Sequence, residues 1–168
     1  MNLKILEKIS YGMYIISSKN NSNKINAQIA DAVIQITSQP PKIAIAINNN
    51  NLTCDFIKES DLFCISILPE NFPLKMIGLF GFRSGREINK FGNLNYKLTA
   101  NGLPYLAETL GFIECKVINK INEGTHTLFT GEVIDCEFLN DASPMTYSYY
   151  HEIKRGGNSK NAPHYNKE

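Results

Sequence analysis

The 168-residue sequence predicts a mainly β protein with short helices, its strands closing into a barrel. Three observations lead there. The apolar runs are short, rich in isoleucine and valine, and bounded by turn residues. They recur at short, even spacing, which favours a barrel over a parallel sheet. Hydrophobic residues make up 43% and charged residues 20%, the ordinary balance of one globular domain with a real core.

In chain order, "MYIISS" (13–18), "AVIQITS" (32–38), "KIAIAI" (42–47) and "LFCISIL" (62–68) read as strands. "GFIECKVINKI" (111–121) and "HTLFTGEVIDCEFL" (126–139) are longer, and "NEGT" between them signals a hairpin. Two short helices are predicted, at 53–59 and around 74–80. Residues 81–104 are rich in glycine and charge, and a loop of that length inside a compact domain is more often functional than decorative. Residues 1–153 form the expected domain, and 154–168, "KRGGNSKNAPHYNKE", a polar C-terminal extension that has lost apolar periodicity.

Composition excludes several function classes. A net charge of +1 makes no electrostatic case for nucleic acid or an acidic membrane surface. The amino terminus lacks the pattern of a signal peptide, and no run approaches bilayer-spanning length. Cys54, Cys64, Cys115 and Cys136 contain no Cys-x-x-Cys pair, so free buried thiols in a reducing cytoplasm fit better than zinc or a disulfide framework. No metal is expected. Nucleotide cradles of the Gly-x-x-x-x-Gly-Lys or Gly-x-Gly-x-x-Gly type are missing, as are the hydrolase elbow and the His-Glu-x-x-His helix. His126, His151 and His164 are scattered, so a hydrolytic triad is unsignalled.

One stretch does point to a ligand. "AINNNNLTCDFIKES" (46–60) runs four asparagines out of an apolar segment into a helix start at Thr53. Such a start exposes unpaired N–H groups at the positive end of the helix dipole, a ready phosphate site. Phe56 cannot close a capping box with Thr53. On spacing alone, simple capping by Asn51 or Thr53 is the plainer reading. Upstream, "INAQIADAVIQITSQPP" (25–41) puts Asn26, Gln28, Gln35 and Thr37 where barrel wall is expected. It ends on prolines that cannot pair in a ladder, leaving backbone groups for the edge of a flat heterocycle. A solvent-facing Gln35 and core-facing Thr37 are the plainer alternative.

Six stretches in order resemble the flavin reductase-like family of FMN-binding split β-barrels, closest to flavoredoxin and the flavin domain of high-molecular-weight rubredoxin. They are "ISYGMYIISS", "NAQIADAVIQITSQPP", "NNNNLTCDFIKES", "LFGFRSGREINKFG", "EGTHTLFTGEVIDCEFLNDASPMTYSYYHEIKRG" and "KNAPHY". Departures fall at Ala27, Asp31, Cys54 and Asn89, where glycine, asparagine, histidine and aspartate are expected. The resemblance implies an FMN in a cleft at a homodimer interface. Asn26, Ala27 and Gln28 would lie near it, and Gln35, Ile36, Thr37 and Ser38 would line the isoalloxazine ring. Asn49, Asn50, Asn51 and Thr53 would hold the phosphate and ribityl end, with Lys90 adding charge. His126 would face the flavin as a tuning group, otherwise being a structural histidine; no catalytic residue is firmly assigned. Tyr147, Tyr150 and His151 belong to the segment expected to close the site.

The implied activity is an oxidoreductase passing electrons from a reduced donor, NADH or NADPH, through bound FMN to rubredoxin or a flavodiiron protein. Without iron-binding cysteines in the sequence, that partner is expected on another chain. The alternatives are an NAD(P)H:flavin reductase that releases reduced flavin, and a non-enzymatic barrel for a small ligand.

Overall fold

The computed structural model describes residues 1–157 and Asn161; residues 158–160 and 162–168 of the expected extension, His164 among them, lie outside the described residues. A 3-10 turn, Leu3–Lys8, precedes strands β1 (Tyr14–Lys19), β2 (Ile25–Ala30), β3 (Val33–Ser38) and β4 (Pro41–Asn48). Helix α1 (Leu52–Ser60), β5 (Leu62–Ile67) and α2 (Leu74–Phe82) follow. Then come β6 (Lys97–Leu98), β7 (Pro104–Tyr105), β8 (Gly111–Glu123), β9 (His126–Phe138) and α3 (Tyr147–Glu152).

Seven strands form one sheet in the order β2-β1-β5-β8-β9-β4-β3, with antiparallel pairing throughout. Its two end strands, β2 and β3, are consecutive in the chain, and only Asp31 and Ala32 separate them. The three steps from Ala30 to Val33 span at most about 11 Å, so the sheet has to curl until its ends meet at that corner. No ladder joins β2 to β3 among the described residues. The result is a barrel split at one seam, not a closed one. Gly124 turns the β8–β9 hairpin at φ +77°, a conformation costly for any residue with a Cβ. Bulges between Glu114 and Cys115 and between Val117 and Asn119 bend the hairpin around the barrel.

Period-two alternation sends neighbouring residues of β1 into different cores. Ile16 packs inside the barrel with Ile45, Ile47, Phe63, Ile65 and Phe129, and Cys54 and Ile57 of α1 plug one end. Ile15 packs outside with Met13, Ala27, Ile77, Phe80 and Tyr150, under α2 and α3. Each isoleucine, phenylalanine and methionine among them contributes about 1.5–3 kcal/mol by leaving water.

The structure departs from the sequence reading at several places. The structure adds β2 (Ile25–Ala30) ahead of the strand expected at 32–38; Ile25, Ala27 and Ile29 alternate with Asn26 and Gln28, a two-sided strand pattern and not the apolar run by which the other strands are read. Asn51 stands at the N-cap of α1 with extended dihedrals, yet makes no side-chain capping bond. Cys136 is exposed, while Cys54, Cys64 and Cys115 are buried free thiols. Among the described residues, no helix is long and apolar enough to cross a membrane.

Candidate functional site

Where β4 runs out into α1, the wall of a cavity of about 540 Å³ begins. Its size lies within the roughly 300–1,000 Å³ typical of small-molecule and cofactor sites. Alternation along β2 supplies one side: Asn26 and Gln28 line the cavity, while Ala27 between them is buried in the outer core. The asparagine run, from the last residue of β4 into the turn before α1, is divided as well. Asn48 and Asn50 line the cavity; Asn49 does not. Its amide Nδ2 donates to Gly124 O at 2.8 Å, and its Oδ1 accepts from Lys58 Nζ at 3.1 Å and Thr127 Oγ1 at 2.5 Å. Asn49 therefore ties α1 to the β8–β9 hairpin.

The start of α1 forms the polar end. Asn51 and Thr53 both line the cavity, and Thr53 is 1% exposed. Thr53 Oγ1 accepts a hydrogen bond from Asn26 Nδ2 at 2.8 Å. Across from it, the segment after α2 brings Arg83, Ser84, Gly85, Glu87 and Lys90 to the wall. Arg86 pins that segment to the first turn of α1 through Asp55, Nη2 to Oδ2 at 2.6 Å. Lys90 is buried and donates to Ala27 O at 2.8 Å and Phe80 O at 3.1 Å. Its burial lowers the amine to about 8.

The opposite end is aromatic. Tyr147 and Tyr150 of α3 line it, their ring centroids 6.3 Å apart. Burial raises the Tyr147 phenol above its ordinary value, and the charges of Asp31 and then Tyr150 add to the effect. Burial also raises Tyr150, opposed by its bond to Gly157 O at 3.2 Å. Both therefore remain protonated donors at neutral pH. Asp31 shares this wall and is 5% exposed. His126 stands opposite Asn48 in the β9–β4 ladder, its Nδ1 paired with Thr125 Oγ1 at 2.9 Å.

The structure thus brings together Asn26, Gln28, Asn50, Asn51, Thr53, Lys90, His126, Tyr147 and Tyr150. It leaves Ala27, Gln35, Ile36, Thr37, Ser38 and Asn49 off the cavity of the single chain. Gln35, Ile36, Thr37 and Ser38 are exposed on β3; Gln35 Nε2 donates to Thr37 O at 3.1 Å, and Thr37 Oγ1 to Pro40 O at 2.6 Å. Sequence reading missed Asn48, Asp31 and Gly85. Asn48 could have been found by continuing the alternation of β4, but no local signal marks the other two.

Residues 6–156 match the family model described as the flavin reductase like domain. The chain is 48% identical over 164 residues to the high molecular weight rubredoxin of Moorella thermoacetica, covering 97% of this chain and 71% of that one. It is 42% identical over 166 residues to the ferric-chelate reductase (NAD(P)H) of Archaeoglobus fulgidus, covering 98% of both. Among solved structures, the NADH:FAD oxidoreductase SgcE6 of Streptomyces globisporus superimposes with a TM-score of 0.78 at 18% identity, over 86% of this chain and 85% of that one.

Proposed function

The chain belongs to the flavin reductase like family of oxidoreductases, and from that premise we propose that it holds FMN in the cavity beside α1 and passes electrons from NADH or NADPH to a redox protein. One observation carries the reading. Two buried polar atoms on the cavity-lining residues, Gln28 Oε1 and His126 Nε2, have no partner among the described residues. A buried polar atom without a partner costs about 1–3 kcal/mol, so both suit the polar edge of a flat heterocycle. The other end suits a phosphate. The first turn of α1 has N–H groups without intrahelical partners, and Lys90 has a third N–H beyond the two it spends on carbonyls.

Bound FMN would supply two-electron acceptance from a nicotinamide and one-electron release to a carrier, so one hydride serves two one-electron acceptors. The chain's part is placement. Asn50, Asn51, Thr53 and Lys90 anchor the phosphate end, Gln28 and His126 orient the ring, and Tyr147 and Tyr150 restrict water at the aromatic end. Rubredoxin is the favoured acceptor and a flavodiiron protein the second; the identity to high molecular weight rubredoxin supports a carrier of this kind. The identity to ferric-chelate reductase favours a second reading, in which a small acceptor enters the cavity or reduced flavin leaves it.

The expected assembly is a homodimer. Edge strand β3 exposes Ile34 and Ile36, and Ile118 and Ile134 are exposed on β8 and β9, side chains that a subunit interface would cover. Such an interface would bring Gln35, Ile36, Thr37 and Ser38 of β3 out of solvent. The free thiols support a cytoplasmic location.

The test is to incubate the protein with FMN, desalt it and record the visible spectrum. A retained, near-stoichiometric yellow chromophore, bleached by anaerobic NADH or NADPH and re-oxidised by rubredoxin, is expected. A colourless protein that also fails to turn over free flavin would overturn the redox reading.

A further inference from the structure

The polar end of the cavity contains a hydrogen-bond order that the residue types alone do not reveal. Thr53 is 1% exposed and Asn26 is 4% exposed, so neither exchanges freely with water. Asn26 Nδ2 donates to Thr53 Oγ1, which fixes the threonine oxygen as the acceptor of that pair. A hydroxyl has one proton to give, and among the described residues Thr53 gives it to none. The proton is left for a ligand acceptor in the cavity that Thr53 lines.

Asn26 is also packed closely from its other side. Its Oδ1 faces Gly85, where an added Cβ would stand 2.0 Å from that oxygen. Only glycine allows the segment after α2 to approach so closely, and the approach clamps the amide between Gly85 and Thr53. Three elements thus converge on one proton: β2 through Asn26, α1 through Thr53, and the 83–90 segment through Gly85.

We propose that Asn26 is a positioning residue: it orients the Thr53 hydroxyl as a donor toward an anion and so makes the site select phosphorylated flavin over riboflavin. This rests on the FMN reading above and deepens it. A direct ring contact by Asn26 would serve both flavins alike. A donor aimed at phosphate serves only the one that carries it.

The experiment measures dissociation constants for FMN and for riboflavin by quenching of flavin fluorescence, in the wild type, Asn26→Leu, Thr53→Val and the double variant. Thr53→Val should lose about tenfold of the FMN preference, the worth of one hydrogen bond to a charged group. Asn26→Leu should lose most of the same factor, and the double variant no more than Thr53→Val alone, because the two side chains act through one proton. Equal weakening of both flavins by Asn26→Leu, or losses that multiply in the double variant, would overturn the proposal. If Asn26→Leu does not fold, Gly85→Ala displaces the amide from the opposite side; it should lower the FMN preference with Thr53 present and leave it unchanged in Thr53→Val. A wild type that binds both flavins equally overturns this proposal and leaves the flavin reading standing. One that binds neither removes both.

Discussion

Replacing Lys90 by methionine tests how the cavity wall is built. The lysine amine sits on two buried carbonyls, Ala27 O on end strand β2 and Phe80 O in the last turns of α2, where the helix supplies no partner for its final carbonyls. Lys90→Met leaves both unpaired, a loss of about 2–6 kcal/mol at about 1–3 for each. It also relieves a penalty. Burial lowers the amine from 10.5 to about 8, and a shift of that size corresponds to about 3 kcal/mol against the charged form at pH 7. The net effect at pH 7 is therefore small, between a gain of about 1 and a loss of about 3 kcal/mol.

The sign reverses the usual lysine case. A lowered folded value means that the folded chain binds fewer protons than the unfolded one between about 8 and 10.5, so wild-type stability rises with pH across that window. Between pH 7 and 9.5 the gain comes to about 2 kcal/mol. The neutral amine still has two N–H donors, matching the two carbonyls. Urea denaturation of the flavin-free protein at both pH values is the assay. Lys90→Met should be the more destabilised, relative to wild type, at pH 9.5. Equal destabilisation at the two values, or a wild type whose stability falls between them, would refute the reasoning.

Three other outcomes are expected. His126→Phe removes an imidazole nitrogen that has no partner among the described residues; flavin-free stability should hold within about 1 kcal/mol while FMN affinity falls several-fold by fluorescence titration. Gly131→Ala places a Cβ 2.7 Å from the Phe63 ring and 2.8 Å from Cys115 Cβ; denaturant midpoints should report a loss of about 1–3 kcal/mol from overpacking. Ile34→Lys with Ile36→Lys charges two exposed positions of β3; sedimentation should show a monomer with an unchanged far-ultraviolet spectrum, and a persisting dimer would place the interface elsewhere.

Most of the architecture was legible because strand and turn chemistry are local. Short β-branched runs, the glycine turn at 124 and the breaks around them announced β1, β3, β4, β5, β8 and β9. β2 escaped because Asn26 and Gln28, the residues that make it useful, alternate with Ile25, Ala27 and Ile29, so it lacks the continuous apolar run that marks the other strands. α3 escaped for a different reason: six residues rich in tyrosine are poor helix formers, held by packing on Met13 and Ala27 and by the Thr146 cap.

The asparagine run at 48–51 marked a polar approach to a helix, and residue types alone say that much. Which asparagine faces the cavity depends on the phase of β4, set by its pairing with β9 at Asn48 and His126. Lys90 could be named from sequence as a cation; its attachment to Ala27 and Phe80, which leaves one donor for a ligand, follows from a contact across 63 residues. Gly85 meets Asn26, and Asp31 meets the wall of Tyr147, only after the sheet has curled. By itself the sequence determined the strands, their turns and the chemical character of the site, since these follow from neighbours along the chain. The tertiary structure decided which polar atoms are already spent and which remain for a ligand, because a hydrogen bond is settled between elements that meet only in the folded molecule.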